Sequence, residues 1–293
     1  MWPSRYPKST DLAAGEIRLR EFTVRRSAVT FAAAAIVGIT GSAVAGCGSS
    51  SSSGGGAASS SASSSASPSF SGSITVFAAS SLLGTFTQLG KQFEAAHPGV
   101  KVTFGFGASS TLATQIVNGA PADVFASASP TNMQQVITAG DASNPVTFAN
   151  NVMEVAVPPA NPAAVTSVDD LAKSSVKVAL CQPQVPCGVT AAKAFKNAKI
   201  TVKPVTLEPD VKSVLSKVEL DAVDAGVVYV TDVRAAGTKV KGVQIPANLN
   251  ASTAYPIAPI SKSSNAATAR AFAAYVASPA GESVLAAAGF EKP

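Results

Sequence analysis

Ile74-Thr75-Val76-Phe77-Ala78-Ala79-Ser80-Ser81-Leu82 is the stretch whose reading decides the fold. Ile74 to Phe77 is a β-branched and aromatic run; small residues and two serines follow, and then Leu82, Phe86, Leu89 and Phe93 fall at helical spacing. The segment is therefore predicted as a strand that turns directly into a helix. A helix start leaves backbone N–H groups without partners and carries partial positive charge, so hydroxyls and amides gathered there suit an anion. Ser81 as an ordinary N-cap would account for the same letters. What favours a site is that the construction recurs. A strand over residues 100–106 opens at Gly105 and Gly107 into Ala108-Ser109-Ser110-Thr111-Leu112, a second serine-bearing start, whose helix stops at Asn118-Gly119.

Working outward toward the C-terminus, strands and helices alternate, which is the pattern of an α/β domain. A short strand is predicted over 123–126, and Ser129-Pro130 opens a helix that ends near Gly140. A strand over 152–157 is followed by Pro158-Pro159 and Asn161-Pro162, where the chain is expected to cross into another lobe. A strand over 176–180 enters Cys181-Gln182-Pro183-Gln184-Val185-Pro186-Cys187-Gly188, with a helix over about 190–197, a third loop-to-helix joint. Glu208-Pro209-Asp210 opens a helix with Val211, Val214, Leu215 and Val218 on one face; strands are predicted over 225–230, containing Tyr229, and 255–260. Helices over 265–277 and 279–288 close the chain.

Working outward toward the N-terminus, the first seventy or so residues do not read as globular. Residues 1–26 carry six basic side chains, an uninterrupted weakly apolar run follows over 27–46, and the run ends in Val44-Ala45-Gly46-Cys47. This is a signal-peptide shape, and its end resembles the lipobox of bacterial lipoproteins, in which the cysteine carries the lipid. Residues 1–46 are thus expected to be a lipoprotein-type signal, with a plain uncleaved helix or an ordinary secretory signal as the alternative. Arg25-Arg26 faintly resembles a twin-arginine signal. Residues 47–71 comprise the lipidated Cys47 and a Ser/Gly/Ala linker too poor in apolar side chains to fold. Residues 1–46 also hold six of the 22 basic and three of the 17 acidic side chains, leaving 16 against 14. The formal charge of +5 therefore belongs mostly to the signal, and nucleic acid is not an expected partner.

The catalytic inventory is thin. His97, the single histidine, sits beside Pro98-Gly99 at a helix end; no G-x-S-x-G and no Walker-type loop occurs, and Ser174-x-x-Lys177 lacks its companion motifs. No enzyme is predicted. A secreted serine hydrolase built on Ser81 fails for want of a base. Two cysteines with no nearby histidine do not make a metal site. In an oxidising compartment Cys181 and Cys187 are expected as a disulfide rather than as two free thiols. Three loop-to-helix joints with uncharged starts and one candidate buried tyrosine suggest anion capture by neutral donors. Such donors match a fully ionised oxyanion, which offers only acceptors.

From Ile74 to the C-terminus the chain resembles the molybdate-binding proteins of bacterial ABC transporters, within the type II periplasmic binding proteins. The motifs that carry the resemblance are Ile74 to Ala79, Ser109-Ser110-Thr111-Leu112-Ala113, Gly119-Ala120-Pro121-Ala122-Asp123-Val124, Val185-Pro186-Cys187-Gly188, Gly226-Val227-Val228-Tyr229 and Gly289-Phe290. It implies a two-lobed α/β fold with the ligand in the interlobe cleft. The first lobe would be residues 72–150 plus 234–293 and the second residues 151–233. It implies molybdate as ligand, tungstate with it, sulfate or another tetrahedral oxyanion being the alternative. By motif, Ser81 and Ser109 would give hydroxyl and amide donors, Cys187 and Val211 amides, and Tyr229 its phenol. No cofactor is implied, since the metal is bound only as the oxyanion. The implied partners are an ABC permease with its ATPase, and the membrane through the lipid anchor, for an exported monomer. The family more often has alanine where this chain has Cys187; an amide donor survives that change.

Overall fold

The structure of the protein, a computed structural model, describes residues 70–293. The expected signal, Cys47 and most of the linker lie outside the described residues. The chain begins with strand β1 (Gly72–Ala79), a 3-10 turn at Ser80–Leu82 and helix α1 (Leu83–Ala96), so the strand-to-helix joint is present. Leu82, Phe86, Leu89 and Phe93 are all buried, and the Phe86 ring meets Phe104, Phe148 and Phe272. Burial of each such side chain stabilises by about 1.5–3 kcal/mol, which holds α1 against the sheet.

There follow β2 (Val100–Gly107), α2 (Ser109–Val117), β3 (Val124–Ala126), α3 (Pro130–Thr138) and a long β4 (Val146–Val157). Then come β5 (Val178–Cys181), α4 (Pro186–Ala198), β6 (Thr206–Glu208), α5 (Val211–Glu219) and β7 (Ala225–Tyr229). Helix α6 (Val230–Ala236), β8 (Lys241–Gln244), β9 (Ser252–Pro259), α7 (Ala266–Val276) and α8 (Pro279–Ala288) complete the chain. The order across the sheet is β2-β1-β3-β9-β4-β7-β5-β6, with β8 paired to β4.

The sheet changes character inside β4. Its first part pairs antiparallel with β9, from Val146 opposite Ile257 to Val152 opposite Ser252. From Met153 onward it pairs with β7 on one side and, from Glu154, with β8 on the other. The hydrophobic cores divide at the same place. One gathers Ile74, Phe86, Phe93, Tyr255, Phe272 and Phe290, with a satellite around Leu112, Phe125 and Ala258. The other gathers Met153, Val178, Leu215, Val227, Tyr229 and Ile245. These are the cores of the two lobes, and β4 runs from one to the other. The second core extends past residue 233, through Val240, Val243 and Ile245, because β8 stays paired to β4. Ala108 belongs to the first lobe by sequence yet packs with the second core, so the lobes touch there.

Candidate functional site

Four helices start at one small cavity between the lobes. It is lined by Ala79, Ser80 and Ser81; Gly107, Ala108 and Ser109; Pro186 and Cys187; Asp210 and Val211; and also by Ala128 and Tyr229. Its empty space is about 210 Å³ including the part open to solvent. All five residues singled out from the sequence for the ligand, Ser81, Ser109, Cys187, Val211 and Tyr229, are brought together here. The separation along the chain is wide, but the reason for convergence is local. Each lies where a strand or loop at the carboxyl edge of the sheet gives way to a helix, and two lobes with such edges facing each other stack their helix starts across one gap.

Three of the four helix starts carry no side-chain cap, α5 with its Asp210 cap being the exception. The turn at Ser80–Leu82, α2 and α4 are preceded by Ala79, Ala108 and Val185, none of which makes a side-chain cap. By contrast α3 and α8, away from the cavity, are capped by Ser129 and Ser278. No acidic residue occupies the first turn of α1, α2, α4 or α5. The first-turn N–H groups of an α-helix have no partner within it, and the dipole makes them favour negative charge. The helix at residues 190–197 begins earlier than the sequence suggested, at Pro186, because proline suits a first turn. Cys187 is therefore a first-turn residue.

The hydroxyls are backed from behind. Ser109 Oγ accepts the Ala128 N–H at 2.9 Å, and Ser81 Oγ lies 2.9 Å from the buried Tyr255 Oη. Tyr229 is different: its phenol oxygen is buried and finds no hydrogen-bond partner among the described residues. Burial, with the neighbouring Tyr255 phenol adding, holds its pKa well above the ordinary tyrosine value, so it is a neutral donor. Its backbone is fixed by Asp232, whose Oδ2 accepts the Tyr229 N–H at 3.2 Å. Burial raises the Asp232 pKa, and Lys212, with Nζ 2.8 Å from Asp232 Oδ1, opposes the shift. The Lys212 charge is thus engaged by Asp232. No lysine, arginine or histidine is among the lining residues. Asp210 is an acid there, and its Oδ1 caps α5 by accepting the Ser213 N–H at 3.0 Å.

The loop that presents Cys187 is pinned. Cys181 and Cys187 form a disulfide with Cα atoms 5.8 Å apart, and the loop-entropy account assigns such a small ring about 2–3 kcal/mol. Thr190 Oγ1 donates to the Pro186 carbonyl at 2.8 Å, and Gln182 N–H donates to Glu208 O at 2.9 Å. Sequence reasoning missed Ser80, Ala108, Ala128 and Asp210 as lining residues and Tyr255 behind Ser81. Asp210 was legible as a helix start; Ala128 and Tyr255 carry no local signal. Among the described residues no group of three or more His, Cys, Asp or Glu is placed to hold a metal ion.

A cavity made of neutral donors at helix starts fits the comparisons with known proteins. The family described as bacterial extracellular solute-binding protein matches residues 74–291. The molybdate-binding protein ModA of Mycobacterium tuberculosis is 44% identical over 222 residues, covering 75% of this chain and 85% of that protein. The ModA protein of Escherichia coli is 33% identical over 235 residues, covering 75% and 89%. The solved periplasmic molybdate-binding protein of Azotobacter vinelandii superposes with a TM-score of 0.67 at 24% identity, covering 75% of this chain and 99% of that one, and so shares the fold. The chain belongs to the bacterial extracellular solute-binding proteins, and within them to the relatives of the molybdate-binding proteins of ABC transporters.

Proposed function

We propose that the protein captures molybdate, and tungstate through the same contacts, outside the cell membrane and delivers it to an ABC permease worked by its ATPase. The observation that carries this reading is the Tyr229 phenol, a buried donor without a hydrogen-bond partner among the described residues, in a cavity bounded by four helix starts with no basic side chain among its lining residues. A buried polar group left unpaired costs about 1–3 kcal/mol, a cost that an anion in the cavity would offset. In this reading Ser81 and Ser109 give hydroxyl and amide, Cys187 and Val211 give amides, and Tyr229 gives its phenol. Each of these donors meets a lone pair of a tetrahedral ion that carries no proton. The two lobes close over the ion by a hinge where β4 changes partners, after Val152. The preference for molybdate over sulfate rests on the likeness to the ModA relatives.

Calorimetric titration of the purified protein is expected to give tight binding of molybdate and tungstate and weak binding of sulfate and hydrogen phosphate. Sulfate bound as tightly as molybdate would replace this reading with its rival. Because no basic side chain lines the cavity, raising salt from about 50 to about 500 mM should weaken molybdate binding less than about threefold. A steep loss would mean that exposed lysines or arginines hold the ion.

The same proposal places the protein on the outer face of the membrane, tethered through lipidated Cys47. Cys47→Ser is expected to leave an unprocessed precursor or to move the protein from the membrane to the soluble fraction. Identical processing and partitioning of variant and parent would remove the anchor from the proposal without touching the ion site.

A further inference from the structure

Behind Ser81 lies a chain of buried polar groups that belongs to no element of the ligand cavity. Asn151, Tyr255 and Thr231 are fully or almost fully buried, and they come from β4, β9 and α6, the three elements that meet where the lobes join. Asn151 Oδ1 accepts the N–H of Val152 at 3.1 Å, which fixes the amide so that its Nδ2 edge faces the other way. From that edge Nδ2 donates to Thr231 Oγ1 at 2.8 Å and faces Tyr255 Oη at 3.5 Å. Tyr255 Oη, in turn, is 2.9 Å from Ser81 Oγ. The phenol oxygen thus has an N–H facing it on one side and the serine oxygen on the other; the Tyr229 phenol also lies near it, and Ser81 Oγ, at 2.9 Å, is the short contact open to its proton.

We infer that Tyr255, oriented by Asn151, is a positioning residue that donates its proton to Ser81 and so makes Ser81 present its own proton to the cavity. The direction matters. Were Ser81 to donate backward to Tyr255, it would turn only lone pairs toward an anion, and the contact would repel. With the proton arriving from behind, Ser81 Oγ–H is both aimed forward and polarised, since a hydroxyl that accepts a hydrogen bond becomes a better donor. Ser109 is arranged to the same effect by a different route, a backbone donor from Ala128 at 2.9 Å. Two serines on separate helices, each receiving a hydrogen bond from outside the cavity, give the same polarity to the site. Burial holds the Tyr255 pKa well above the ordinary tyrosine value, so the phenol keeps its proton around neutral pH.

This inference rests on the reading of the cavity as an oxyanion site, and a double-mutant cycle separates the two. Molybdate affinity is measured by calorimetry for the parent, Ser81→Ala, Tyr255→Phe and the double variant, with Tyr255→Phe in a Ser109→Ala background as the control pair. Tyr255→Phe is expected to weaken binding about three- to fivefold in the parent and in Ser109→Ala, but less than about twofold in Ser81→Ala, because its effect passes through that hydroxyl. An equal effect in all three backgrounds, or none in the parent, would overturn the inference, since a merely structural tyrosine acts regardless of Ser81. If Tyr255→Phe does not fold, Asn151→Ser, which removes the N–H edge facing the phenol, replaces it in the same cycle with the same expected pattern. A parent protein that binds no molybdate at all would instead overturn the function proposed above.

Discussion

Tyr229→Phe is expected to lower molybdate affinity about 10- to 150-fold, which corresponds to about 1.5–3 kcal/mol for one hydrogen bond to a charged oxygen. The same substitution is expected to leave the unliganded protein as stable as before, or slightly more so. The phenol oxygen is buried without a partner among the described residues, so removing it deletes an unpaired polar atom while the ring keeps its edge-on packing against Tyr255 at 6.2 Å. Thermal melting with and without molybdate reads both effects at once. The unliganded midpoint should hold or rise, and the gain on adding ligand should shrink. The opposite pattern, a lower unliganded midpoint with unchanged affinity, would make Tyr229 a structural tyrosine. The pH dependence follows from the raised pKa. A phenol shifted upward stays protonated where an ordinary tyrosine begins to ionise, so its donor is retained as pH rises and affinity should be flat between about pH 6 and 9.

How much of this was legible in the sequence depended on the range of the contact. The elements with clear apolar patterns, β1, α1, α2 and α5, fall where those patterns placed them, because burial on one face is a local signal. Three short elements were not legible, although the equally short β3 falls within the strand expected over 123–126. Thr206–Glu208 is three residues long, Lys241–Gln244 has one partly buried side chain among exposed ones, and Val230–Ala236 spans only two turns; tertiary pairing rather than pattern makes them. Ser81 and Ser109 could be picked out because a serine just inside a helix start has a chemical meaning wherever it occurs. Tyr255 could not. Its place behind Ser81, 174 residues away, exists only once β9 lies between β3 and β4. The proline-rich break after β4 was expected to carry the chain across, whereas β4 changes partners earlier, after Val152, beside the residue-151 boundary that the resemblance implied.

A combined loss of stability and affinity is expected from a residue that does not line the cavity. Gly188 is the third residue of α4, and a β-carbon built on it would stand 2.1 Å from the Gln182 carbonyl oxygen, 2.9 Å from its carbon and 3.0 Å from the Cys181 carbonyl oxygen. All three are backbone atoms, so no side-chain rotation makes room. Nor can the loop back away freely: Gln182 is tied by its N–H to Glu208 and by its carbonyl to the Val185 N–H, and the Cys181–Cys187 bond joins the two sides. Gly188→Ala must therefore displace either the loop or the first turn of α4, at a cost of about 2–3 kcal/mol for overpacking a rigid site. That turn carries the Cys187 N–H, one residue before. In the proposed site a shift of it misaims the Cys187 donor, and binding should fall at least about tenfold beyond what the stability change alone imposes. Gly84→Ala is the matched control, since nothing lies within 4 Å of a β-carbon there and alanine suits a helix better than glycine. It should melt at the same temperature or slightly higher and bind molybdate unchanged. If Gly188→Ala loses stability but keeps the parent's affinity at a temperature where it is fully folded, the Pro186–Gly188 turn does not supply a donor, and the anion is held by the first lobe, Val211 and Tyr229.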